Sequence, residues 1–263
     1  MTLSRGMMWP PKGHDVGGCF EIVYEKHGVE GMAVAANPAE VIEAGLARGR
    51  RALSEYESKR VLASYGVPIV EEELAQDAAA AVTAADRIGY PVVVKACSPA
   101  LMHKSDQGLV ALSLGSPDAV RAASETIRRA VGDAPLDGLL VQRMVRGKRE
   151  MIVGGIRDQL FGPCLMLGLG GILVEVLADV AFRLAPLDER DALEMIREIR
   201  AQRVFDVVRG EPAVDRRALS RVLIAVGQVL LDHPRVSQVD LNPLILEGEH
   251  PVAVDALITL VSA

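Results

Sequence analysis

The sequence predicts an α/β protein built as two α+β lobes, with a ligand cleft between them. Three observations carry that expectation. The chain has 263 residues, which is enough for one large or two smaller cores. Half of it is hydrophobic, yet only 3% is aromatic, so Ala, Val, Leu and Ile must fill the core, as they do where helices pack on sheets. Helical and strand periods alternate up to about residue 140. After Gly147 the texture turns strand-rich, with two helices. Clefts between lobes are the usual place for small ligands.

Each element follows from local pattern. Met1 to Gly31 has no clear period and is rich in breakers; residues 1–36 are read as an extension of uncertain order. Pro38–Arg50 and Glu55–Tyr65 show helical spacing, and Gly66-Val67-Pro68 stops the second. Ile69–Leu74 reads as a strand. Asp77 can cap a helix running to Arg87, which Gly89-Tyr90-Pro91 ends. The β-branched run Pro91-Val92-Val93-Val94-Lys95 reads as a buried strand, and Leu109–Leu114 as another. Ser116-Pro117-Asp118 opens a helix with Ala119, Val120, Ala123, Ile127 and Val131 on its apolar face. Leu139–Met144, Met151–Ile156, Cys164–Leu167 and Val180–Leu184 read as strands. Asp188–Arg200 and Asp215–Asp232 read as amphipathic helices, and Val236–Leu246 and Val252–Leu260 as closing strands. The lobes are expected over residues 37–140 and 141–263.

Composition excludes several classes of function. A net charge of −6 argues against a nucleic-acid or acidic-membrane binder. Mean hydropathy is positive, but the longest nearly uncharged apolar run, Pro163–Val174, is shorter than the about 20 residues a membrane helix needs. No basic start leads into a signal-peptide block. Cys19, Cys97 and Cys164 fit neither a disulfide framework nor a zinc pattern, which points to a reducing, cytosolic setting.

The candidate chemical groups are scattered. Lys95 is a cation in an apolar strand, suited to phosphate, although a solvated strand-end lysine reads equally well. The polar loop Leu101–Gly108 holds His103, which as an imidazole can carry a phosphoryl group, move a proton or bind metal; a lone loop histidine is more often plain surface. Leu167-Gly168-Leu169-Gly170-Gly171 fits neither the dinucleotide fingerprint nor the Walker A pattern, and indicates close backbone approach. Arg183 sits alone in Phe182-Arg183-Leu184, as a phosphate fork or half of a salt bridge. Asp240 and Asn242 share one face of a strand, and Asp255 lies in an apolar run. These oxygen ligands suit Mg2+, which takes one or two carboxylates plus phosphate oxygens; turn capping by the same residues is the alternative.

The chain resembles the ATP-grasp (beta) subunit of the ADP-forming acyl-CoA synthetases, related more distantly to the beta subunit of succinyl-CoA synthetase. The resemblance rests on Glu57-Ser58-Lys59, Tyr65-Gly66-Val67-Pro68 and Tyr90–Lys95, then on His103-Lys104-Ser105-Asp106 and Gly147-Lys148-Arg149-Glu150. Phe161-Gly162-Pro163, Gly168–Gly171, Phe182–Leu187, Arg209-Gly210 and Asp240-Leu241-Asn242-Pro243-Leu244 complete it, from about Pro38 to the C-terminus. Two stretches depart from the family pattern: residues before Met32 have no counterpart, and the loop reads Gln107-Gly108-Leu109 where the family has Gly-Gly.

The resemblance implies an ATP-grasp fold with the nucleotide between the lobes. It assigns Lys59, Lys95, Gln142, Met144, Val145, Glu150, Gly170, Gly171 and Arg183 to ATP or ADP. It assigns Asp240, Asn242 and Asp255 to Mg2+, and His103 to phosphoryl relay. It implies the reversible reaction of acyl-CoA, ADP and phosphate to carboxylate, CoA and ATP. A CoA-binding, alpha-type partner subunit carries the main phosphohistidine in this scheme. Two other readings stand beside it: a ligase joining a carboxylate to an amine through an acyl phosphate, and a non-catalytic nucleotide-binding subunit. The histidine loop argues against the former, and the intact set of Lys95, Arg183, Asn242 and Asp255 against the latter.

Overall fold

The computed structural model describes residues 37–100, 107–171, 179–208 and 210–261. Contacts divide the chain into Met1–Val34 and Ala35–Ala263, and all that is described belongs to the second unit. His103 and the extension before residue 37 lie outside the described residues.

Two helices come first, α1 (Pro38–Ala47) and α2 (Glu55–Ser64). A capping box starts α2, with the Ser54 side chain accepting from Glu57 N–H and the Glu57 carboxylate accepting from Ser54 N–H. A four-stranded antiparallel sheet follows. Its strands are β1 (Glu72–Ala75), β2 (Val92–Cys97), β3 (Val110–Leu114) and β4 (Gly138–Arg143), in the order β1-β4-β2-β3. Helices α3 (Ala78–Ile88) and α4 (Pro117–Val131) cover one face. Ala81, Ala84, Val120 and Ile127 pack there on Val92, Val94, Leu139 and Val141. Alternation sends Val93, Lys95 and Gln142 to the other face, toward α2.

The second sheet is larger. It holds β5 (Arg149–Asp158), β6 (Gly162–Leu169), β7 (Val180–Leu184), β8 (Val236–Glu247), β9 (His250–Ala253) and β10 (Leu257–Leu260), ordered β10-β8-β5-β6-β7 with β9 paired to β8. Helices α5 (Glu189–Glu198) and α6 (Arg216–Asp232) lie on one face, with a 3₁₀ turn at Gln202–Phe205 between them. Leu219, Val222, Val226 and Leu230 join Met151, Val153, Leu165 and Leu167 in the larger core. Gly155 makes this closeness possible, since a Cβ there would stand 2.6 Å from Leu230.

Two differences from the sequence reading matter for the site. Val252–Leu260, expected as one strand, is broken into β9 and β10 at Val254-Asp255-Ala256. The sequence divides the chain at residue 140, whereas Ile42, Leu53, Val61 and Leu62 around α1 and α2 pack into the larger core. The reason is that α2 has two working faces: Val61 and Leu62 go to that core, and Glu55 and Lys59 turn toward the small sheet.

Candidate functional site

Five charged or polar side chains converge where α2 meets the small sheet. Lys59 and Glu55 are one helical turn apart, so they share a face. The register places Glu72 directly opposite Gln142, with Gln142 in turn opposite Val93. Lys59 Nζ donates to Glu55 Oε1 at 2.7 Å and to Glu72 Oε2 at 2.8 Å. Lys95 Nζ donates to the same Glu55 oxygen at 2.9 Å and to the Val254 carbonyl at 2.8 Å. Gln142 Nε2 lies 2.7 Å from Glu72 Oε2 and 3.1 Å from Glu55 Oε1.

Burial makes these partners obligatory. Lys59 and Glu55 are 1% and 3% exposed, and an unpaired charge at such depth is costly. Burial opposes the Lys59 charge, but the carboxylates of Glu55 and Glu72 more than offset it, and its pKa is raised. Burial pushes the Glu72 carboxyl up, with Lys59 only partly opposing the shift. Among the described residues of this cluster, two cations and two acids carry no net charge when all four are ionised.

The acidic pair lies beside this cluster. Asp255 sits in the break between β9 and β10, with its Oδ2 4.0 Å from Lys95 Nζ. Asp240 is on β8, opposite Gly154 of β5 and Leu257 of β10. Burial, and then the Asp255 charge, raise its pKa. Asn242 follows on an exposed position, at a cis peptide to Pro243, where the β5–β8 register shifts. Among the described residues no three His, Cys, Asp or Glu side chains gather as a metal cluster. Two like-charged carboxylates, with an amide two residues along the chain from Asp240, nevertheless fit Mg2+, which needs only one or two protein carboxylates beside phosphate oxygens.

Glu150, Gly170 and Gly171 meet elsewhere, at the ends of β5 and β6. They line a cleft of about 710 Å³ together with Arg200 to Val204. Gly170 N–H donates to Glu150 O at 2.7 Å, and a Cβ on Gly170 would stand 2.8 Å from the Glu150 carbonyl carbon. Only glycine permits that crossing, and Gly171 follows with φ +65°. Arg149 anchors the opposite wall, donating to the carbonyls of Val204 at 3.3 Å and Gly248 at 2.7 Å.

Met144 lines a smaller hollow of about 370 Å³ with Tyr90, Pro91 and Arg146. Its N–H is bonded to Pro91 O at 3.2 Å, and Val145 beside it is buried.

Arg183 is not brought to the acidic pair. Its register partner is Leu165, which faces α6, whereas Asp240 aligns with Gly154 on the opposite face. Its guanidinium instead grips the Glu198 carboxylate of α5 through both terminal nitrogens. That bidentate pair raises Arg183 and lowers Glu198 from their ordinary pKa values. In this structure Arg183 therefore makes a strand–helix salt bridge, the other role its sequence position allows.

Sequence reasoning missed Glu55 and the Val254 carbonyl. An acid in the first turn of a helix reads as dipole compensation. The Glu55/Lys59 spacing was the only available signal for the former. A main-chain oxygen leaves no trace in residue identity.

Comparison with known proteins places this arrangement. Residues 44–260 match the family model described as an ATP-grasp domain. The beta subunit of ADP-forming acetate–CoA ligase I of Pyrococcus furiosus is 43% identical over 233 residues, covering 87% of this chain and 100% of the relative. Acetyl-coenzyme A synthetase 1 of Ca. Korarchaeum cryptofilum, solved with coenzyme A and Ca-AMPCP, is 38% identical with a TM-score of 0.82, covering 86% of this chain and 100% of the matched one. The same protein with coenzyme A and Mg-AMPPCP, its phosphohistidine segment pointing towards the nucleotide binding site, gives 38% identity and a TM-score of 0.76 over the same shares of the two chains. This chain belongs to the ATP-grasp family, together with the beta subunits of ADP-forming acetate–CoA ligases.

Proposed function

We propose that the chain is the nucleotide-binding subunit of an ADP-forming acyl-CoA synthetase. It works with a CoA-binding, alpha-type subunit to interconvert acyl-CoA, ADP and phosphate with carboxylate, CoA and ATP. The observation that carries this reading is the convergence of Lys95 with the Asp240–Asp255 pair, at a point where the small and large sheets meet. A cation for phosphate oxygens and acids for a divalent metal are the two requirements of phosphoryl transfer, in which positioning and charge neutralisation supply most of the catalysis.

Mg2+ is the proposed metal, held by Asp240, Asn242 and Asp255; when bound it neutralises phosphate charge. Lys95 contacts the phosphates. Gln142, Met144 and Val145 border the base, and Glu150, Gly170 and Gly171 border the cleft beside it. Lys59 acts one step away, through Glu55 and Glu72, because its ammonium is enclosed. His103, as a neutral imidazole, accepts and passes on the phosphoryl group that the partner's phosphohistidine delivers. The Mg-nucleotide complex of the Korarchaeum relative, with its phosphohistidine segment turned to the nucleotide, supports this division of labour. The cytosol is the proposed compartment.

Calorimetric titration of the purified chain with ADP, with and without Mg2+, tests the reading. Magnesium-dependent binding is expected. If ADP fails to bind both to the chain alone and to the chain with its CoA-binding partner, the proposal is wrong.

A further inference from the structure

Glu55 is a buried acid that the assigned roles use only as a link to Lys59. It stands at the centre of the polar cluster, 1% exposed in its side chain, with one oxygen accepting from both Lys59 and Lys95. The two ammonium nitrogens are thus no farther apart than bonds of 2.7 and 2.9 Å laid end to end. Two cations at that separation repel strongly at low dielectric unless a negative oxygen lies between them. Gln142 approaches the same oxygen at 3.1 Å and fixes the carboxylate from a third side. Lys59 is secured independently by Glu72 at 2.8 Å. Among the described residues, the other hydrogen-bond acceptor of Lys95 is a backbone oxygen, Val254 O.

We propose that Glu55 is the positioning residue for Lys95: its shared oxygen holds the Lys95 ammonium between the Val254 carbonyl and Asp255, where nucleotide phosphates are received. The inference rests on the nucleotide reading above and deepens it. A lysine is a flexible point charge on a four-carbon stem, so its aim must come from its surroundings. Here α2 supplies that aim by placing Glu55 over the Lys95 face of β2. The Glu55–Lys59 pair, one turn apart, is the base of the device, and Glu72 and Gln142 lock that base to the small sheet.

Charge and position make opposite predictions. Glu55 is negative and near the phosphate site, so as a charge alone it disfavours anion binding, and its removal tightens MgADP. As a positioning group it favours binding, and its removal weakens MgADP. Two variants separate these effects. Glu55→Gln keeps the shape and removes the charge. Glu55→Asp keeps the charge and withdraws the oxygen by one methylene.

The experiment is calorimetric titration of the full chain with MgADP, using both variants in the native background and in a Lys95→Met background. Thermal melting serves as the folding control. In the native background both variants are expected to weaken MgADP about ten-fold, the scale of one charge-assisted hydrogen bond. In the Lys95→Met background neither is expected to weaken it further, because the group they aim is gone. Native or tighter affinity in Glu55→Asp overturns the inference, and so does a loss that simply adds to that of Lys95→Met. If Lys95→Met itself binds MgADP like the native chain, the assignment of Lys95 fails and the inference falls with it, while the fold and family stand.

Discussion

Arg143, the last residue of β4, and Glu247, the last of β8, clasp each other through two hydrogen bonds of 3.0 and 2.7 Å, one from each terminal guanidinium nitrogen. One of the Glu247 oxygens also accepts from Arg146 N–H at 2.9 Å. The pair joins the small sheet to the large one at the point where the chain crosses between them. Hydrogen bonding from Arg143 holds the Glu247 carboxyl below its ordinary pKa, against a smaller effect of burial. A depressed carboxylate stabilises above its unfolded pKa and loses that contribution as pH falls through the folded one. Arg143→Met is therefore expected to lower Tm at neutral pH by about 1 to 3 °C, as a part-exposed ion pair allows. Below the carboxylate range the two melting curves should converge. A constant difference across the acid range would mean that Arg143 acts through packing alone.

Asp240 behaves in the opposite sense. Its pKa is raised, first by burial and then by Asp255. Its contribution to stability is present below the unfolded carboxylate pKa and is lost as pH rises through the raised value. Asp255→Asn removes one of the two causes. In the absence of metal this variant is expected to match or exceed the native Tm at pH 7, while binding MgADP at least ten-fold more weakly. Melting and calorimetry on the same samples decide it, and unchanged MgADP affinity would take Asp255 out of the site.

Gly170→Ala places a Cβ 2.8 Å from the Glu150 carbonyl carbon, which is backbone and has no freedom to yield. The expected cost is about 1 to 3 kcal/mol, read as a lower urea midpoint. Gly115 has no heavy atom within 4 Å of its own built Cβ, so Gly115→Ala should stay within about 0.5 kcal/mol. Equal midpoints for the two variants would refute the close-approach account of Gly170.

Arg183→Ala breaks the grip on Glu198 but leaves the Asp240 face untouched. MgADP affinity is expected to remain within about two-fold of native, since no group on the nucleotide side is removed. A ten-fold or larger loss would instead support the phosphate role that the family resemblance implies for this residue.

Most of the architecture was legible because periodicity reports which faces are buried. The helix at Pro117–Val131 followed from Val120, Ile127 and Val131, and the buried strand Val92–Cys97 from its β-branched start. What the sequence left open shares a cause: it concerns which of two neighbours a residue serves. Arg183 alternates correctly along β7, but alternation does not say which face the helices cover; Phe182, 54% exposed, takes the open one. Val252–Leu260 is apolar enough for one strand, and nothing local announces the break at Val254. Glu55 reads as a helix-start acid until Lys95, 40 residues away, is brought onto the same oxygen.

That break has a consequence for how the chain can vary. The group that Lys95 meets at 2.8 Å is the carbonyl of Val254, an atom every amino acid possesses. Replacing the valine side chain leaves the oxygen in place as long as the turn keeps its path. The contact is thus hidden from any catalogue of tolerated substitutions: position 254 can drift across a lineage, apparently dispensable, while its main chain continues to anchor the lysine.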